Sequence, residues 1–85
     1  MTNRDLLVEC GYENSIVFNN PDYDAAIIGV SHDDRVIYDY NKMIEHLMLC
    51  EDMTIEEAMD FISYNTIKSL SYAGDDAPII MFSLE

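Results

Sequence analysis

The run Ala25-Ala26-Ile27-Ile28-Gly29-Val30-Ser31, followed by the polar His32-Asp33-Asp34-Arg35 and then Val36-Ile37-Tyr38, constrains the fold more than any other stretch of this chain. Two apolar arms joined by four polar residues predict a β-hairpin. The first arm is apolar at almost every position, which predicts that both its faces are covered or that it is the central strand of a small sheet. A last strand is predicted over Pro78-Ile79-Ile80-Met81-Phe82-Ser83-Leu84. Placed antiparallel beside the first, it completes a three-stranded antiparallel sheet with the first strand in the middle.

The remaining periodicity is helical. Asp5-Leu6-Leu7-Val8-Glu9-Cys10 can be capped by Thr2 or Asn3 and stopped by Gly11, with Leu6, Leu7 and Cys10 as its apolar edge. Asp39 or Asn41 can cap a second helix, in which Met43, Ile44, Leu47 and Met48 recur on one side. Thr54-Ile55-Glu56-Glu57 has the form of a capping box, the Thr54 hydroxyl accepting from the Glu57 amide while the Glu57 carboxylate reaches back. From that start Ile55, Ala58, Met59 and Ile62 form a stripe, so the two helices are expected to pair antiparallel over the sheet. Tyr64 to Leu70 reads as a further helical segment ended by Gly74, and Ser15-Ile16-Val17-Phe18 as a brief extended one before the turn formers Asn19-Asn20-Pro21-Asp22. The fold class that results is α+β, one domain over residues 1–85, with two to four short helices against the sheet.

Composition bounds what such a domain can do. With 85 residues there is room for one core, and 49% apolar residues are enough to form it. Seventeen acidic residues against four basic ones leave a net charge of -13. A field of that sign repels nucleic acid and anionic membranes and speeds encounter with basic surfaces. Neither a leader peptide nor a membrane span is legible, so a cytoplasmic location is expected. Cys10 and Cys50 lie in apolar helical stretches without CxxC spacing, which predicts buried free thiols.

The sequence carries no recognisable catalytic motif. Glycines at 11, 29 and 74 cannot form a dinucleotide-binding or phosphate-binding loop. The two histidines, His32 and His46, belong to no metalloprotease-like pairing. His46 and Cys50 are one helical turn apart, but two ligands make an incomplete zinc site, and a half-exposed helix histidine is the simpler expectation. No segment satisfies a calcium-binding helix–loop–helix pattern. No catalytic residue, cofactor or metal is therefore assigned.

What remains is the distribution of carboxylates. They occupy the loops and the polar side of the helix after Thr54, while Arg4, Arg35, Lys42 and Lys68 are dispersed. A rigid array of carboxylates resembles the phosphate track of a duplex, which carries about one charge per 1.7 Å of axis. Asp22, Asp24, Asp33, Asp34, Glu56, Glu57 and Asp60 are the expected partner-binding residues, because the turns and the helix face cluster them. A competing expectation is a small adaptor or homodimer that docks through an apolar surface anchored by Tyr12, Tyr23, Tyr38, Tyr40, Tyr64 and Tyr72.

The stretches Asp24 to Val30, Asp34 to Tyr40 with Lys42-Met43, Tyr64-Asn65-Thr66-Ile67-Lys68 and Tyr72-Ala73-Gly74 with Ala77 to Met81 resemble a family of short uncharacterised proteins of bacterial genomes, their phages and mobile elements. The resemblance spans about residues 16 to 84 and departs at Asp34, where a glycine is commonly found. Small acidic proteins of mobile elements often act as anti-defence factors of anti-CRISPR or anti-restriction type. The resemblance thus implies, as partner, a host protein with a basic surface in the bacterial cell, such as a CRISPR effector or another nucleic-acid enzyme.

Overall fold

The computed structural model describes residues 3–12, 15–18 and 23–84, apart from the side chains of Ser69, Tyr72 and Ala73. Helix α1 (Asn3–Glu9) opens the chain, and Gly11, at φ 91°, turns it away in the left-handed conformation its position predicts. A tight 3-10 turn at Asp24–Ala26 leads into β1 (Ile27–Val30), and β2 (Val36–Asp39) pairs with it antiparallel. Then come α2 (Tyr40–Cys50) and α3 (Ile55–Phe61), which passes through a π-helical segment (Ile62–Ile67) into α4 (Lys68–Ala73). The last strand is β3 (Ile79–Met81). Residues 15–18 form no strand, and Ala25 and Ala26 belong to the 3-10 turn rather than to β1.

The fold is α+β, but the sheet is mixed rather than antiparallel. Its order is β1-β2-β3, with β2 central and β3 running parallel to β2 in the register Ile37–Ile79, Tyr38–Ile80, Asp39–Met81. A parallel partner requires a long crossover, and α2 to α4 supply one between the end of β2 and the start of β3. Strand β1 is therefore an edge, with Ile28 42% exposed, while Val36 and Tyr38 of β2 are fully buried.

Two of the three predicted helix starts are formed, with Asp39 rather than Asn41 as the second cap; of the candidates for the first, Asn3 lies within α1 and Thr2 is outside the described residues. The Asp39 carboxylate accepts from the amides of Asn41 (2.9 Å) and Lys42 (3.4 Å). Thr54 Oγ1 accepts from the Glu57 amide at 3.2 Å, and Glu57 Oε1 accepts from the Thr54 amide at 3.0 Å. These hydrogen bonds hold the Glu57 carboxyl below its ordinary value of 4.5. A lowered folded value means that this stabilisation is present above the ordinary value and is lost as pH falls through the lowered one. Thr54→Ala is expected to cost about 1 kcal/mol in urea unfolding at neutral pH. The gap between it and the parent should narrow in acid.

The core joins the sheet to the helices. Tyr23, Val36, Tyr38, Met43, Leu47 and Ile62 are fully buried, and Leu7, Ala26, Ile27, Ile44 and Ala58 complete the cluster. Met48, Ile55 and Met59, expected on the apolar stripes, remain 40%, 55% and 43% exposed. The expectation of buried thiols is also corrected: Cys10 and Cys50 are both exposed and free. Among the described residues no helix is long and apolar enough to cross a membrane.

Candidate functional site

The β1–β2 connection is a turn fixed by its own hydrogen bonds. The amide of Ser31 donates to the carbonyl of Arg35 (2.8 Å), and that of Asp34 to the carbonyl of Ser31 (3.0 Å). Ser31 Oγ accepts from the Arg35 amide at 3.1 Å and donates to the Asp33 carboxylate. That last bond holds the Asp33 carboxyl below its ordinary value, with the charges of Arg35 and His32 adding to the effect. Asp34 takes φ 65°, the conformation that explains why a glycine suits its position. Asp34→Gly is expected to keep stability within about 1 kcal/mol of the parent, whereas Asp34→Val should lose about 1–2 kcal/mol, since a β-branched side chain tolerates this backbone poorly. Urea unfolding of both variants checks the difference.

Two further bonds bring distant segments to this turn. Ser15 Oγ donates to the Asp34 carbonyl (3.1 Å), and Arg35 Nε donates to the Ala77 carbonyl (2.7 Å). The second contact carries Asp76 to the hairpin. Asp33, Asp34 and Asp76 thereby line one open polar cleft of about 330 Å³ with Gly11, Tyr12, Ser15 and Ile16. All three aspartates are exposed.

A second acidic surface lies on α3 and the π segment. Glu57 and Asp60 border a shallow groove of about 360 Å³ whose other walls are Met53, Phe61, Tyr64 and Asn65. Glu56 is exposed on the same helix. Lys68 sits with Nζ 5.2 Å from the centroid of the Tyr64 ring. No described residue lines both the cleft and this groove.

The expected partner-binding residues therefore divide. Asp33 and Asp34 come together with Asp76, and Glu57 and Asp60 with each other, although one oxygen of Glu57 is already engaged in the capping box. Asp24 has an internal role. Its Oδ1 accepts from Arg4 Nη2 (3.0 Å) and Nε (3.1 Å), and its side chain is only 21% exposed. Arg4 also donates to the Phe18 carbonyl at 2.8 Å, and Asn3 Nδ2 donates to the carbonyls of Asp24 and Ile27, so the start of α1 clamps the loop before β1. Asp22 lies outside the described residues. Asp76 was visible in sequence only as one member of an acidic pair after Gly74; nothing local tied it to the hairpin.

The tyrosines divide as well. Tyr23 and Tyr38 are fully buried and cannot anchor a partner, Tyr12 and Tyr40 are half-buried, and Tyr64 is 66% exposed. The Tyr72 side chain lies outside the description. A tyrosine-anchored adaptor surface is reduced accordingly.

Among the described residues Arg4–Asp24 is the only ion pair, and no group of three or more His, Cys, Asp or Glu is placed to hold a metal ion. Comparison of the chain with protein-family models, with curated proteins and with solved structures finds no match.

Proposed function

We propose that this domain is a non-catalytic binding protein that places its carboxylates in the basic nucleic-acid-binding groove of a host defence enzyme, as an anti-restriction or anti-CRISPR inhibitor would. The observation that carries this reading is the cleft of Asp33, Asp34 and Asp76, set on a hydrogen-bonded turn. The cations of the chain do little to neutralise it. Arg4 is paired with Asp24 and Lys68 lies against Tyr64, so Arg35, whose charge acts on Asp33, is set against the three carboxylates of the cleft.

Preorganisation is what separates such a surface from a merely soluble one. The Asp33 carboxylate, held by Ser31, and the Asp34 backbone, fixed by the turn, lose little freedom on meeting a basic groove, and the field of the cleft raises the rate of encounter before contact. Glu56, Glu57 and Asp60 extend the same chemistry to α3, where Tyr64 and Phe61 offer apolar and aromatic area to the stem of a partner's lysine or arginine.

The test begins with capture of tagged protein from a bacterial lysate at low salt, which identifies the candidate enzyme. Purified enzyme is then loaded with a fluorescent duplex, and the chain is titrated in. Displacement of the duplex at stoichiometric concentrations is the expected result. If the enzyme holds chain and duplex at once with no mutual effect, the chain does not occupy the nucleic-acid groove and the reading is wrong.

A further inference from the structure

The last turn of α2 carries a pair of metal-ligating side chains that the acidic surfaces do not use. Cys50 Sγ lies 3.7 Å from His46 Nδ1 across one helical turn. A tetrahedral zinc ion, with Zn–S of about 2.3 Å and Zn–N of about 2.0–2.1 Å, holds two such atoms about 3.6 Å apart. The pair already has the spacing of a chelate. Cys50 is exposed and His46 half-exposed, so an ion can reach both. The site also lies at the C-terminal end of a helix, where the backbone dipole favours positive charge.

Zinc normally takes four protein ligands in a structural site, and this chain supplies two here. A second copy supplies the same two. Leu49, between the ligands on the exposed side of the same turn, is 85% exposed, and a second α2 laid across it would remove apolar surface from water. We propose that a soft divalent cation such as Zn²⁺ joins two copies of this chain through His46 and Cys50 of each. Each Cys50 thiol releases its proton to solvent as its Zn–S bond forms, and each imidazole donates a neutral nitrogen lone pair. Two thiolates balance the charge of the ion.

The experiment is light scattering coupled to size exclusion on reduced protein, with ZnCl₂ added from zero to one ion per chain. The mass should double by one zinc per two chains and return to that of a single chain with a chelator. Cys50→Ser and His46→Ala should stay monomeric at the same zinc concentration, with unchanged circular dichroism, while Cys10→Ser dimerises as the parent does. Because two copies of net charge -13 repel, added salt should strengthen the dimer rather than weaken it. Cobalt in place of zinc gives an independent readout, a thiolate-to-metal absorption band present in the parent and absent in Cys50→Ser. A mass that never changes, saturation at one zinc per chain without a dimer, or equal dimerisation of Cys50→Ser would each overturn the proposal. The salt response also keeps this outcome distinct from the fate of the inhibitor reading, whose complexes weaken with salt.

Discussion

Tyr23→Ala is expected to remove about 3–5 kcal/mol of stability, the cost of deleting a large buried aromatic side chain. A small domain holds roughly 5–15 kcal/mol in total, so the variant should lose a large share of its stability and unfold at a much lower urea concentration than the parent. The size of the effect follows from what the ring touches. Tyr23 is fully buried, meets Phe18 edge-on at 5.8 Å and Tyr38 at 6.5 Å, and packs against His46 at 5.8 Å with the rings tilted by 60°. Its hydroxyl shares a 2.9 Å hydrogen bond with Thr66 Oγ1 inside the π segment, tying the loop before β1 to the long helix.

Burial also raises the Tyr23 phenol above its ordinary value of 10.0, the Thr66 bond acting in the opposite direction. The folded state then keeps a proton that the unfolded state loses. Stability from this group is present below pH 10.0 and falls as pH rises past it toward the raised folded value. Tyr23→Phe should cost about 1 kcal/mol at neutral pH and lose this part of the alkaline decline. Urea midpoints at neutral and alkaline pH decide the matter. A loss under about 1 kcal/mol for Tyr23→Ala would mean that Tyr23 is not part of the core.

The second large effect is on binding. The combined variant Asp33→Lys, Asp34→Asn, Asp76→Lys should weaken binding to a basic-groove enzyme on the order of 100-fold, if each exposed charge contact is worth about 0.5–1 kcal/mol and reversal adds repulsion to its loss. Asn is chosen at position 34 because it tolerates the left-handed backbone there. None of the three side chains is buried, but Asp33→Lys gives up the bond from Ser31 Oγ, so the variant should stay folded at a urea midpoint slightly below the parent's. Asp24→Lys serves as the contrast. It breaks the Arg4 pair and should act on stability before it acts on binding. Equal binding by the cleft variant and the parent would remove the cleft from the interface.

The local features were legible because each is decided by neighbours in sequence. The capping box at Thr54 and Glu57, the carboxylate cap of Asp39, and the stops at Gly11 and Gly74 all depend on residues within one turn. The hairpin was legible too, although its polar connection did not disclose that Asp34 takes a positive φ. The pairing of β3 was not. Strand segments alone do not state their direction, but three helices between two strands are the signature of a crossover, and that signal favours a parallel partner. Apolar richness in β1 misled in the same way: Ile28 is left on an edge by the strand order, not by its neighbours.

The candidate surface was half legible. Exposure of Asp33 and Asp34 followed from their place in a polar turn, but Asp24 and Asp33 differ only in whether a cation from elsewhere reaches them. Arg4, twenty positions away in the chain, takes Asp24. Arg35, bonded across 42 positions to Ala77, sets Asp76 beside the turn. Long-range hydrogen bonds of this kind leave no trace in spacing or periodicity.

The most direct test of the account is the salt dependence of the complex between this chain and a captured nucleic-acid enzyme, measured as affinity from low to physiological ionic strength for parent and cleft variant. Carboxylates facing a basic groove predict a steep fall in the parent and a shallower one in the variant. An affinity that stays constant across that range, or falls equally in both proteins, would contradict the claim that the aspartate cleft carries the interaction.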